Sequence, residues 1–181
     1  MESAENILTF WFIKHGEEDW FAGTDVFDAE LKARFADTHA MVGHGEAMTW
    51  REKPQGRLAV IIVLDQFSRQ LYRNTPLAFA WDGMALVLAQ EAIAGGHDEA
   101  IADRERMFFY MPFMHAESEL MQHLGVQLFE QLGNEQLAGY AKEHLAVISK
   151  FGRFPFRNVA LGRVSTAEEL AHMEEFSARR F

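Results

Sequence analysis

No cysteine occurs in the chain, which excludes disulfides, thiolate chemistry and any zinc site that needs sulfur ligands. Proline is scarce, at four in 181 residues, so long stretches are free to stay helical. Positive charge is in deficit: 17 Lys and Arg against 27 Asp and Glu give a net charge of −10. Nucleic acid as a general partner needs a basic face, so none is expected. The longest apolar run, Leu58 to Leu64, is far shorter than the ~20 residues a bilayer span requires. The start, Met1-Glu2-Ser3-Ala4-Glu5, lacks the basic region and apolar core of a signal peptide. No Gly-rich phosphate loop, nucleophile elbow or dinucleotide fingerprint is found. These absences lead to the expectation of a cytoplasmic protein with no membrane partner, no bound cofactor and no metal.

What is present is a large apolar inventory. Hydrophobic residues make up 49% of the chain, with 16 Phe and 4 Trp, enough for one sizeable core spanning residues 1–181 as a single domain. The four tryptophans, Trp11, Trp20, Trp50 and Trp81, read as packing residues. Helical periodicity dominates. Ser3 to His15 reads as a helix stopped at Gly16, with a turn at Trp20-Phe21. Asp25 can cap a second helix, in which Phe27, Leu31 and Phe35 recur every four residues. Gly43-His44-Gly45 ends it, and a short helix leads to Pro54.

The run Leu58 to Leu64 is apolar on every side and fits a buried strand or a buried helix. No second such run exists to pair with it, and helical spacing continues past Asp65, so Arg57 to Arg73 is assigned as a central helix. Thr75 and Pro76 then open a helix reaching Ala94, apolar on two sides and therefore expected inside. A short helix from Asp98, an aromatic connection from Met107 to Phe113, and a helix from Ala116 to Leu132 follow. Leu137, Ala141, His144, Ile148 and Phe151 mark another, and Ser165 with Glu168 reads as a capping box opening the last. The fold class is all-α, with short turns that make consecutive helices antiparallel neighbours.

Several segments, in order and covering nearly the whole chain, resemble a bacterial domain-of-unknown-function family, the one numbered 924. They are Ile7-Leu8-Thr9-Phe10-Trp11-Phe12, Leu64-Asp65-Gln66-Phe67-Ser68-Arg69, Tyr72-Arg73-Asn74-Thr75 with Ala78-Phe79-Ala80, and Pro112-Phe113-Met114-His115-Ala116-Glu117. Phe151-Gly152-Arg153-Phe154-Pro155, Arg157-Asn158 and Leu161-Gly162-Arg163-Val164-Ser165-Thr166 complete the set. The resemblance implies stacked antiparallel helix pairs, tetratricopeptide-repeat-like, and no particular activity. Two positions depart from its pattern: Ser68 stands where proline is usual, and Phe156 where histidine is usual.

Two constellations could carry chemistry. At about 100° per residue, Asp65, Gln66, Arg69 and Arg73 share roughly one quadrant of the central helix, with Asp65 and Arg69 spaced for an i,i+4 ion pair. They either tie this helix to a neighbour or present Arg69 and Arg73 to an anion. The second lies between His144 and Ala167, where Lys150, Arg153, Arg157 and Arg163 occur without a single acid and Phe151, Phe154 and Phe156 interleave. Guanidinium groups held by aromatics suit carboxylate or phosphate, with Asn158 beside them. Equally, such arginines can meet acids from other helices.

His144 lies in an apolar stripe as a core residue or a base, given a carboxylate such as Asp65, Asp82 or Glu117. His115, Glu119 and His123 have metal-ligand spacing on the face opposite Leu120, Leu124 and Leu128, where solvation is the simpler reading. A helix start at Ala116 would add free amides near His115.

The favoured expectation is therefore a helical module binding an anionic ligand, a peptide carboxylate or small metabolite, through Gln66, Arg69, Arg73, Arg153, Arg157 and Asn158. The rival is a small enzyme acting on a phosphorylated or carboxylated metabolite, with His144 or His115 as base and Asp65 as the carboxylate. The third is a structural protein, including a homo-oligomer, with no small ligand.

Overall fold

A computed structural model describes residues 1–22 and 24–176, with the side chains of Phe21 and Ala22 left aside. Every regular element among them is helical, which bears out the all-α class. The backbone divides into two compact units. The first comprises Met1–Arg73 and Leu77–Pro112, the second Asn74–Pro76 and Phe113–Phe181.

In the first unit, α1 (Ala4–Leu8) is capped by the Ser3 hydroxyl and continues without a break as a π-helix over Thr9–Lys14. Where a tight turn was expected at Trp20-Phe21, a short helix α2 (Glu17–Ala22) forms. Thr24, not Asp25, caps α3 (Asp25–Gly43), its hydroxyl accepting from the Phe27 amide. A 3-10 turn (Met48–Glu52) leads into α4 (Pro54–Ile61), with Pro54 in the first turn where a missing amide costs nothing.

The central helix is real, but it is not uniform. α4 passes into a π-helix over Ile62–Phe67 and returns to α-geometry as α5 (Ser68–Leu71). Leu58 through Phe67 are all buried, including Asp65 and Gln66. Around them pack Phe10, Trp11, Phe35 and Phe108 in edge-on and tilted ring contacts, the arrangement aromatic quadrupoles favour.

The helix expected from Thr75 to Ala94 is broken. Pro76–Phe79 is a 3-10 turn, and α6 (Asp82–Ala94) begins afresh after Trp81. The stretch Pro76–Ala94 has the length and hydropathy of a membrane span. The break leaves 13 residues of α-helix, short of the ~20 a bilayer needs. One side of α6 is buried through Ala85, Leu88, Ala89 and Ala92, while Met84 and Val87 face outward, so it is internal on one side only. The aromatic connection is itself helical: α7 (Asp103–Met114) runs through Phe108 and Phe109 and holds Pro112 near its end. The Tyr110 hydroxyl donates to Asp98 at 2.8 Å, and burial with that carboxylate raises the phenol above its ordinary range.

In the second unit, α8 (Glu119–Gln131) and α9 (Glu135–Phe151) pack as a pair. Gly125 of α8 instead lets the end of α7 approach, for a Cβ there would lie 3.0 Å from the Phe113 Cβ. Asn134 caps α9 at one end, and Gly152 closes it in the left-handed region at φ 70°, as glycine readily does. The last helix, α10 (Ala167–Glu175), has a capping box one residue later than the sequence suggested. Thr166 and Glu169 exchange the two bonds, and Glu168 pairs with Lys150 at 3.1 Å.

The tightest packing restraint in the first unit is Gly56. A Cβ there would lie 1.9 Å from the Trp50 carbonyl oxygen, so the 3-10 turn can seat on α4 only over a bare α-carbon. Gly56→Ala is expected to destabilise by about 3 kcal/mol or more, because backbone rather than a side-chain tip must move. Gly83→Ala, in the first turn of α6 with open space around it, should stabilise by roughly 0.5–1 kcal/mol. Urea-unfolding midpoints of the two variants test the contrast.

Candidate functional site

The four arginines of the expected ligand site, Arg69, Arg73, Arg153 and Arg157, divide two and two between the units. In the first, Arg69 lies between two carboxylates. It grips Asp82 in a bidentate pair, both contacts 3.0 Å, meets the Asp65 carboxylate at 3.1 Å and donates to the Asp65 carbonyl at 2.5 Å. Burial opposes its charge, but the two carboxylates prevail and hold the guanidinium protonated. Gln66 donates to the other Asp65 oxygen at 2.6 Å and to the Met111 sulfur at 3.2 Å. Arg73 is held by Asp28 in a second bidentate pair at 2.6 and 3.0 Å, and donates to the Gln70 side chain.

The second unit repeats this arrangement. Arg153 grips Glu169 at 2.7 and 2.9 Å and also donates to the Val164 carbonyl. That grip draws the Glu169 carboxyl down to about 2, against the opposing effect of burial. Arg163 grips Glu117 at 2.7 and 2.9 Å. Burial pushes the Glu117 carboxyl up, yet Arg163, the Phe154 amide and Arg157 together hold it below its ordinary range. Arg157 is buried, stacked 4.6 Å over the Phe154 ring, and donates to the His115 carbonyl at 3.0 Å. Asn158, fully buried, donates to the Ser165 hydroxyl at 3.0 Å. The acid-free stretch thus finds its counter-ions on α10 and just ahead of α8.

The expected bases are built into this scaffold. His144 is buried, its Nδ1 is 2.8 Å from the Tyr140 carbonyl, and its ring lies 5.6 Å from Phe154 and 6.3 Å from His115. Of the acids foreseen for it, Glu117 is gripped by Arg163, and Asp65 and Asp82 by Arg69. The metal-like spacing of His115, Glu119 and His123 assumed one continuous helix, whereas α8 begins only at Glu119 and Glu119 accepts from Ser149. The Ala116 helix start is likewise absent: the Ala116 carbonyl is taken by the Gln122 side chain at 2.8 Å. Among the described residues, no three His, Asp or Glu side chains converge as metal ligands.

Two features escaped the sequence reading. The first is a buried His39–Ser68 contact at 2.8 Å. The Ser68 hydroxyl donates to the Leu64 carbonyl at 2.6 Å, so it must accept the His39 Nε2–H, and His39 Nδ1 is left as a bare acceptor. This is the reverse of a base activating a nucleophile, and Ser68 is fully enclosed. Edge-on contacts with Tyr72 and Trp81 complete the enclosure. Burial lowers the imidazole to about 4, so the ring is neutral near pH 7.

The second is a groove of about 630 Å³ in the first unit. Leu8, Phe12 and Ile13 form one wall, and Thr49, Trp50 and Gly56 the other. The first wall is largely the π-helical segment, a geometry that recurs at functional sites. Ile13 is 79% exposed there. The rim carries Glu5, Glu52 and Glu105 against one Lys53.

A family model described as "Bacterial protein of unknown function (DUF924)" matches residues 7–176. A solved structure of a protein of unknown function from Agrobacterium tumefaciens is 39% identical, with a TM-score of 0.91 over 95% of this chain and 97% of that one. No curated protein matches.

A neutral buried histidine makes stability depend on pH. Its folded pKa, about 4, lies below the unfolded value of 6.5, so the unfolded chain binds the extra proton between them. Stability should therefore be lost as pH falls from 6.5 to 4. Relative to His39→Gln, the loss should reach up to ~3 kcal/mol. Parallel urea titrations at pH 7 and pH 4 check it; an unchanged difference between the two proteins would contradict it.

Proposed function

We propose that this chain, which belongs to the bacterial family of unknown function DUF924, is a binding module that takes an amphipathic segment of a partner protein in the groove of its first unit. The observation that supports this reading most is the groove itself: open, about 630 Å³, walled by Leu8, Phe12, Ile13 and Trp50. Its volume lies within the ~300–1,000 Å³ usual for ligand sites. Ile13, 79% exposed beside the buried Phe12, is the kind of solvent-facing anchor that a partner's apolar side chains cover. An amphipathic helix laid in such a groove would present its apolar side chains at i, i+3 and i+4.

This shifts the expected site away from the arginines. A ligand carboxylate at Arg69, Arg73 or Arg153 would first have to displace a bidentate carboxylate of the chain itself. A displaced partner such as Glu169, nearly fully buried, would be left without its cation, a cost of several kcal/mol. At these three arginines the small-anion and enzyme readings both depend on such an exchange, whereas Arg157 is packed against Phe154 and bonded to the His115 carbonyl. The groove requires none.

Ile13→Asp is expected to weaken binding of an amphipathic leucine-rich helical peptide of about five turns by tenfold or more. Because Ile13 is already in water, the variant's thermal midpoint should stay within a few degrees of the parent's. Fluorescence anisotropy with the labelled peptide reads the first effect and a melting curve the second.

A further inference from the structure

We infer that the segment seated in this groove is basic: an amphipathic helix whose apolar anchors are flanked by lysine or arginine. The inference rests on the groove being the binding site, and adds the charge of the occupant. Three carboxylates, Glu5, Glu52 and Glu105, stand around the apolar walls, and Lys53 is the one cation among the lining residues. None of the three carboxylates is in an ion pair or accepts a side-chain hydrogen bond among the described residues.

The acids of the arginine clusters differ from these. Asp28, Asp65, Asp82, Glu117 and Glu169 are each held by an arginine. Glu105 is half-buried as well as unpaired, so it is partly removed from water with no internal counter-charge. A cation brought by a partner would supply the missing one, at a position where solvent screens it less than on an open surface. The rim's excess of two negative charges also disfavours an acidic segment and steers a basic one towards the walls. The four positions are spread over three elements, α1, the 3-10 turn with its exit, and α7, and border the same groove. A basic helix with a single apolar stripe matches that pattern.

The test uses three labelled helical peptides with one shared leucine face and flanking residues that are all lysine, all glutamine or all glutamate. Binding to the full chain is measured by anisotropy at low and at physiological salt. The lysine peptide should bind about tenfold more tightly than the glutamine peptide at low salt, and the glutamate peptide more weakly still. The margin between lysine and glutamine should shrink as salt rises. It should also shrink in the triple variant Glu5→Gln, Glu52→Gln, Glu105→Gln. Equal affinity for the lysine and glutamine peptides, with both lost in Ile13→Asp, would overturn the basic partner and leave the groove standing. Binding that is undiminished in Ile13→Asp, or no binding by any of the three, would overturn the groove itself.

Discussion

Arg69 between Asp65 and Asp82 is the contact that makes the first unit's central helix tolerable. Asp65 sits at the end of a run of apolar residues and is almost fully buried. An ionised carboxylate there is acceptable only if it is paired and hydrogen-bonded. Arg69 supplies the charge from one turn on, Gln66 supplies a second donor, and Asp82 completes the guanidinium's coordination from the first turn of α6. Removing Arg69 would take the paired guanidinium from two acids at once, a loss on the order of 3–5 kcal/mol. The π-helical stretch from Ile62 to Phe67 contains Asp65 and Gln66, and so sets the direction from which both meet their partners.

The same logic recurs at Arg73, Arg153 and Arg163, and it has a consequence for function. A chain with 17 basic and 27 acidic side chains that commits Arg69, Arg73, Arg153 and Arg163 to its own carboxylates is left with acids lacking cations. On the open surface such acids are simply hydrated. At the groove they border exposed apolar wall, and Glu105 is partly withdrawn from water. Surplus negative charge and uncovered apolar area therefore coincide at the groove. Basic residues drew attention in the sequence because they were the minority charge. In the structure that scarcity makes them structural.

Much of the fold was legible in the sequence. The all-round apolar run to Leu64 marked the central helix, the four-residue recurrence of Phe27, Leu31 and Phe35 marked α3, and Asp65 with Arg69 proved to be the i,i+4 pair their spacing suggested. What was hidden is of two kinds. Local geometry drifted where two signals competed: Thr166 and Glu169 capped α10 in place of Ser165 and Glu168, and α7 absorbed Pro112 within its last turn. Long-range pairing was hidden altogether. Arg73 meets Asp28 across 45 positions, Arg163 meets Glu117 across 46, and His39 meets Ser68 across 29. The groove is of this second kind, because Ile13 and Trp50 share no local pattern. Its one local trace was Gly56, a glycine inside an apolar helix, which the Trp50 carbonyl explains.

Hydrogen exchange along the backbone, with and without a saturating lysine-flanked amphipathic helix, separates the groove from the arginine clusters as the binding site. Exchange should slow only at the groove walls, in Ala4–Lys14 and in the segment from Thr49 to Gly56, with the amides around Arg69 and Arg153 unchanged. Protection centred on the arginine clusters, with the groove walls exchanging as before, would contradict it and return the binding site to the arginines.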